Sequence, residues 1–291
     1  MSDNQYSSDS LYTNTNKFLL VLDSRNATTR NNDTYNCDLS FEFEEPIMIP
    51  RGALKLTCSV MAFTAPNSIY NINASNNYLH LKYGNANTDV KVYFPYGNYN
   101  STTFMATFLT RVAYYDATLG TGLGITLNTI TNQMTVSHTS QGIMFMYDST
   151  IAPVIGLSNS YSSGFAVGGS SNVIFPYTCN FTGIQNINIH ITNMNTDNID
   201  SLTKSTSGII QTVPVDSNQS QIIFSKTTDY AFTVKETVID VLEILLTDDL
   251  GKLINWNNQH WNMTLYFSLV EDIERFKEDR SFRTILQTGY A

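Results

Sequence analysis

The sequence predicts a mainly β protein, an antiparallel jelly-roll sandwich with an inserted α+β domain. Segments alternating apolar and polar residues dominate both ends of the 291-residue chain, and that period marks strands with one buried face. Between them lies the strongest helical periodicity in the sequence, flanked by short strands. About eight strands fall outside this middle segment; antiparallel strands at such spacing build sandwiches, and that number favours a jelly roll.

Residues 1–17 are polar and low in complexity, which suits a mobile N-terminal arm. "KFLLVLDSRNA" follows as a short apolar run that reads as a buried strand. "CDLSFEFEEPIMIP" sets Cys37, Leu39, Phe41 and Phe43 against Asp38, Ser40, Glu42 and Glu44, with Pro46 expected to end the strand. "ALKLTCSVMAF" repeats the pattern with Leu54, Leu56, Cys58, Val60 and Ala62 inward, and "TAPNSIYNINASNN" supplies turn residues. Two short strands, "YLHLKY" and "DVKVYF", then lead into "PYGNYNSTTFMATFLTRVAYY". There Asn100 or Ser101 can cap a helix whose one face carries Phe104, Phe108, Val112 and Tyr115. Strands follow around "GITLNTI", "QMTVSH" and "GIMFMY", before a Gly/Ser-rich loop, "DSTIAPVIGLSNSYSSGFAVGGSSN", that marks a boundary.

Clean alternation then returns. "INIHIT" places Ile187, Ile189 and Ile191 on one face, and "GIIQTVPV" and "SQIIFSK" are further strands. "TVIDVLEILL" is apolar on both faces, as a strand covered by a second sheet or by a neighbouring subunit would be. "WNMTLYFSLV" turns Trp261, Met263, Leu265, Phe267 and Leu269 inward and Asn262, Thr264, Tyr266 and Ser268 outward. The expected organisation is an arm over 1–17, a discontinuous jelly roll over 18–73 and 172–270, an insertion over 74–171 and a charged tail over 271–291.

Charged residues make up 14% of the chain against a norm of about 25%, and Asn, Ser, Thr and Tyr take their place. The aromatic content is that of a folded protein. A net charge of −9 argues against duplex nucleic acid as a ligand, which needs a basic patch to neutralise phosphates. No apolar window is long enough to span a membrane, and the first residues lack the basic start and apolar core of a secretory signal. Cys37, Cys58 and Cys179 are far apart and odd in number, which fits reduced, buried thiols in a protein made in the cytosol. The sequons at Asn26, Asn32, Asn73, Asn100, Asn180, Asn218 and Asn262 are the number that chance supplies in such a composition.

Several stretches imitate catalytic or metal-binding motifs. "TDDLGKLINWNNQHWNMTLYF" holds both tryptophans, but "DDLGKLINWNNQ" lacks the ligand spacing and closing Glu of a calcium loop. Adjacent Asp248 and Asp249 would point to opposite sides of a strand, so with Gly251 the stretch reads as a hairpin turn, Trp261 entering the core. "GTGLG" over 120–124 follows a helix and precedes a strand, the reverse of a dinucleotide loop, and reads as a flexible turn. His80, His138, His190 and His260 show no ligand spacing, and "SSGFAVGG" is no nucleophile elbow. Glu44 with Glu45, and Glu271 with Asp272, are adjacent and read as solvated. No catalytic, cofactor-binding or metal-binding residue is assigned, and the chain is expected not to be an enzyme.

The order of several motifs carries a resemblance. "LVLDSRNATT" is followed by the Phe/Glu-rich strand, "VMAFTAPNSIYNIN", "YFPYGNYNSTTFMATFLTRV", "ITNQMTVSH", "APVIGLSNS" and finally "ILLTDDLGKLINWNNQHWNMTLYFSL". Over roughly residues 18–270 the chain resembles the penton (vertex) capsid proteins of virophages, polinton-like elements and large eukaryotic DNA viruses. The resemblance implies an upright single jelly roll, five copies of which close an icosahedral vertex among trimers of a double-jelly-roll major capsid protein. It implies an outward-projecting insertion at 74–171, no cofactor, a virion location and assembly in the host cell cytoplasm. Partners on this reading are the chain itself, the major capsid protein, and minor capsid proteins or a host-surface receptor. It carries over no binding residue. The alternatives from the sequence are a carbohydrate- or receptor-binding β-sandwich and a minor (cement) capsid protein.

Overall fold

A computed structural model describes residues 17–32, 35–48, 53–157, 171–194, 199–200, 205–206, 208–226, 230–234 and 238–271. The arm expected over 1–17 lies outside these residues except at Lys17, as do the tail beyond 271 and the Gly/Ser-rich stretch 158–170. The chain forms two compact units, one of Met1–Ser68 with Gln185–Ala291 and one of Ile69–Ile184.

Strands β1 (Lys17–Asp23), β2 (Thr29–Arg30), β3 (Asp38–Met48) and β4 (Ala53–Pro66) precede the middle unit. That unit contains β5 (Tyr78–Tyr83), β6 (Thr88–Tyr93), α1 (Ser101–Tyr115), α2 (Ala117–Gly120), β7 (Leu123–Asn128), β8 (Gln133–His138), β9 (Ile143–Phe145), α3 (Ala152–Ile155) and β10 (Ser171–Ile174). The chain returns with β11 (Asn186–Ile191), β12 (Ile199–Asp200), β13 (Ser205–Thr206) and β14 (Ile209–Pro214). It continues through β15 (Ile222–Lys226), β16 (Phe232–Val234), β17 (Val238–Thr247) and β18 (Asn262–Glu271).

The discontinuous unit is an antiparallel jelly roll. One sheet runs β1-β18-β4-β15, with β16 also on β4; the other runs β14-β11-β17-β3-β2. First and last strands are neighbours in one sheet while β3 and the last but one, β17, meet in the other, the interleaving of two Greek keys. Each sheet buries one face. Leu56, Cys58, Val60, Phe63 and Ala65 of β4 and Met263, Leu265, Phe267 and Leu269 of β18 line one. Leu39 and Phe41 of β3, Ile187, Ile189 and Ile191 of β11, and Leu242, Ile244 and Leu246 of β17 line the other.

Bulges account for most departures from simple alternation, because one extra residue transfers everything beyond it to the opposite face. In β4 the register against β18 slips beside Met61, which is exposed, so burial passes from Val60 to Phe63 and Ala62 is only half-buried. Pro46 does not end β3. The pairing jumps from Val241↔Glu42 to Ile239↔Ile47, leaving Phe43–Pro46 out of the ladder, where proline costs no hydrogen bond. The same irregularity brings Ile239 onto the buried face with Leu242, so the two-sided apolar pattern of β17 records a bulge. Its outer face carries exposed Asp240 and Glu243 beside half-buried Val241 and Leu245. β1 is an edge strand rather than a buried one: among its apolar residues only Leu22 is buried, and Phe18 stacks on Phe267 at 4.9 Å.

The connection between β17 and β18 is also corrected. Asp248–Gly251 makes a tight turn, with Asp248 Oδ1 accepting from the backbone N–H of Leu250 and Lys252 and Gly251 at φ 73°. However, β17 and β18 belong to opposite sheets, so this is a crossing segment and not a hairpin. Both tryptophans on it are fully buried. The Trp261 ring lies 6.3 Å from Phe41 of one sheet and 6.1 Å from Phe63 of the other. Its Nε1 donates to the Asn36 carbonyl at 2.7 Å and its backbone N–H to Ser24 Oγ at 3.0 Å.

The middle unit has two three-stranded sheets, β6-β5-β9 and β10-β8-β7, with α1 against β6 and β7. Asn100 caps α1 in a reciprocal capping box with Thr103. Phe104, Phe108 and Val112 are buried as the periodicity predicts, whereas Tyr115 is exposed at the end of the helix. The unit is larger than the expected 74–171: Ile72 and Phe175 lie in its core, and β10 pairs with β8. Asn71 ties its two ends together. The side chain donates to the carbonyls of Tyr99 (2.7 Å) and Phe181 (2.6 Å) and accepts from the Tyr99 N–H (2.9 Å).

Trp261→Ala is expected to destabilise the jelly roll by about 3–5 kcal/mol, read as a lowered urea midpoint, since it removes a buried aromatic and a satisfied N–H. Asn71→Ala is expected to lower the stability of the middle unit by on the order of 3 kcal/mol, because it orphans three partly buried backbone groups at once. Faster hydrogen exchange at Leu79 and Leu81, with β17 unchanged, would show the loss to be local.

Candidate functional site

The histidines do not converge. His138 Nε2 donates to the Leu119 carbonyl at 3.1 Å, leaving Nδ1 to accept from the backbone N–H of Ser140 and Gln141. His190 bonds Thr247 Oγ1 at 2.9 Å, and His260 meets Ser24 Oγ at 3.3 Å. Among the described residues no group of three or more His, Cys, Asp or Glu could hold a metal ion. Burial pushes the Cys37 thiol up to about 12, with the Asp38 charge adding to it, and raises Cys58 and Cys179 as well, so these thiols are held protonated. Glu44 and Glu45 are exposed in the bulged part of β3; Asp272 lies outside the described residues. Among the described residues no helix is long and apolar enough to cross a membrane.

One polar cluster escaped the sequence reading. Alternation along β5 and β6 puts Tyr78, His80 and Lys82 beside Tyr93, Lys91 and Asp89 on one outward face. His80 is nevertheless buried, because Asp89 approaches Nε2 and Asp148, from the loop after β9, approaches Nδ1 at 2.6 Å. Tyr78 OH donates to the other Asp148 oxygen at 2.5 Å, and Lys82 lies 3.8 Å from Asp89. With a carboxylate against each ring nitrogen, neither nitrogen of His80 faces an open position where a nucleophile could sit. Neighbouring Ser149 is used structurally, accepting from the His80 backbone N–H. The cluster fastens the 146–151 loop to the sheet. Residues that meet from positions 80, 89 and 148 leave no mark at any fixed spacing in the sequence.

The outer surfaces of the two jelly-roll sheets differ. On the sheet containing β1, Leu19, Val21, Ile222 and Phe224 are exposed at the two edges, flanking Thr264, Tyr266 and Ser268 of β18 and Ala62 and Thr64 of β4. Among the described side chains, charge there is confined to strand ends, at Lys17, Asp23 and Lys226. The opposite sheet presents Asp38, Glu42, Asp240 and Glu243. An apolar, charge-poor sheet face suits burial against another protein surface, while the acidic face suits solvent.

No protein-family model matches the sequence, and no curated protein matches it. Solved structures do. The mavirus penton protein, solved as a selenomethionine-labelled crystal, is similar with a TM-score of 0.50 at 12% identity, covering 87% of this chain and 100% of that one. A chain from the cryo-electron-microscopy structure of the Sputnik virophage aligns at a TM-score of 0.44 and 12% identity, over 88% of this chain and 98% of that one. The first likeness establishes a shared fold.

The Asp148 carboxyl is raised by partial burial, but hydrogen bonds from Tyr78 and His80 outweigh this and hold it below the ordinary 3.8. A depressed carboxylate stabilises the folded state above its unfolded value and loses that contribution as the pH falls through the folded one. The middle unit is therefore expected to weaken on acidification below pH 3.8, and Asp148→Asn to flatten that part of the profile. Protease sensitivity of the 146–151 loop, followed across acidic pH in both proteins, checks this.

Proposed function

We propose that the chain is the vertex (penton) subunit of an icosahedral double-stranded DNA virus capsid, five copies closing each vertex among trimers of a double-jelly-roll major capsid protein. The extent of the likeness to the mavirus penton protein carries this reading. It takes in the whole of that chain and 87% of this one, more than either unit supplies alone, so jelly roll and middle unit both contribute. A ring of five is a head-to-tail assembly, in which each subunit presents two different surfaces. The apolar face with Ile222 and Phe224 is assigned to one side of that subunit contact. The middle unit is assigned to the part of the vertex that projects outward. The virion is the location that follows, with assembly in the host cell and minor capsid proteins as further partners. On this reading the chain is a building part and performs no catalysis.

Light scattering behind a sizing column is expected to return about five times the 32.6 kDa of the monomer, with rings visible by negative stain. Combining Ile222→Asp with Phe224→Asp is expected to shift that mass to the monomer while leaving the melting temperature in place, because both side chains are more than half exposed. A natural-sequence monomer that also stays out of shells formed by a double-jelly-roll capsid protein would overturn the assignment.

A further inference from the structure

The end of α1 meets the outward face of the β5–β6 ribbon, and four tyrosine rings form a continuous row there. Tyr78 and Tyr93 stack across the strands at 5.5 Å, Tyr93 lies 6.3 Å from Tyr115, and Tyr115 meets Tyr114 edge-on at 5.3 Å. Cations hold the row. The Arg111 guanidinium lies 5.1 and 5.2 Å from the Tyr114 and Tyr115 centroids, and the Lys91 ammonium 5.7 Å from that of Tyr78. Arg111 also donates from Nε to the Tyr93 carbonyl at 2.8 Å and from Nη2 to Tyr115 OH at 3.2 Å. None of this serves the core: Tyr93, Tyr114 and Tyr115 remain 45%, 75% and 39% exposed. Rings fixed by neighbours yet open to solvent lose little rotamer freedom when a ligand covers them.

We propose that this row is a binding platform for a neutral oligosaccharide. A pyranose ring has an apolar C–H face and a rim of hydroxyls that both donate and accept. The platform offers aromatic rings for the face, with Lys91, Arg111 and tyrosine hydroxyls as donors and the Asp89 and Asp148 carboxylates as acceptors alongside. Charges of both signs are interspersed around the row, Lys82, Lys91 and Arg111 among Asp89 and Asp148, so the platform does not present the single-sign patch that holds a polyanion. That selects a neutral glycan over a sulfated or phosphorylated one. The platform does not depend on the capsid reading, since a monomer that bound sugar would uphold it alone.

The test uses the full chain, with tyrosine rings labelled for NMR, titrated with hexasaccharides of β-1,4-glucose, β-1,4-N-acetylglucosamine and β-1,4-mannose, and with a heparin hexasaccharide as the anionic comparator. At least one neutral sugar is expected to shift the Tyr93, Tyr114 and Tyr115 signals and to bind more tightly than heparin. Tyr114→Ala removes a ring that stands mostly in solvent, and is expected to weaken that binding about tenfold with the melting temperature unchanged. Arg111→Lys, which keeps the charge but loses the planar fork, is expected to weaken it too. Failure of all three neutral sugars to bind, preference for heparin, or binding indifferent to both variants would each overturn the proposal. Disassembly of a pentamer by Tyr114→Ala would reassign the face to contact with a second copy.

Discussion

Trp261 joins the two sheets of the jelly roll through contacts of different kinds at one point. Its ring touches Phe41 from one sheet and Phe63 from the other, while its indole N–H satisfies the carbonyl of Asn36. Asn36 adopts a left-handed conformation, φ 55°, that asparagine tolerates better than most residues, and its side chain takes a hydrogen bond from Arg30 and gives one to the Gln259 carbonyl. The turn before β3, the start of the chain near Ser24 and the segment entering β18 are therefore held by one residue and its partners. The need arises from topology. The last two strands lie in opposite sheets, so the segment between them has to cross from one to the other, and buried aromatic rings supply the contact that fixes where it crosses.

The middle unit meets a different constraint. An inserted domain leaves and rejoins its host at neighbouring points, and its own fold has to bring its two ends together. Asn71, near the start of the unit, does this with a hydrogen bond to Phe181, near its end, while also bonding Tyr99. Gly183, at φ 75°, passes so close that an added Cβ would stand 3.3 Å from the Asn71 Cβ, and glycine meets both demands. With its ends tied and a core of its own around Phe94, Phe104 and Phe108, the unit can vary at its surface without disturbing the jelly roll.

Polar groups in this protein work mostly as fasteners. His80 holds a loop, His138 closes a turn beside α2, and Asp248 shapes the turn after β17. The surfaces differ in kind: a charge-poor, apolar sheet face, an acidic sheet face, and a tyrosine row braced by cations. Burial against protein, exposure to solvent and recognition of an amphipathic ligand are the three uses those chemistries fit.

Strand and helix identity was legible in the sequence wherever neighbours along the chain decide it. The inward set of β18, the isoleucines of β11 and the capped helix with Phe104, Phe108 and Val112 all follow from local periodicity, which the pleat and the helical turn impose on any chain. The jelly roll itself was reachable by counting such strands. What the sequence did not disclose depends on distant partners. Whether Pro46 ended a strand was settled by a bulge against β17, and whether β1 was buried by its place at a sheet edge. The passage of the "TDDLGK" segment between sheets depended on the full strand order. The tyrosine row and the carboxylates around His80 gather residues from separate elements, so only the tertiary structure could assemble them. Periodicity is a property of a strand alone, whereas exposure and juxtaposition belong to the sheet as a whole.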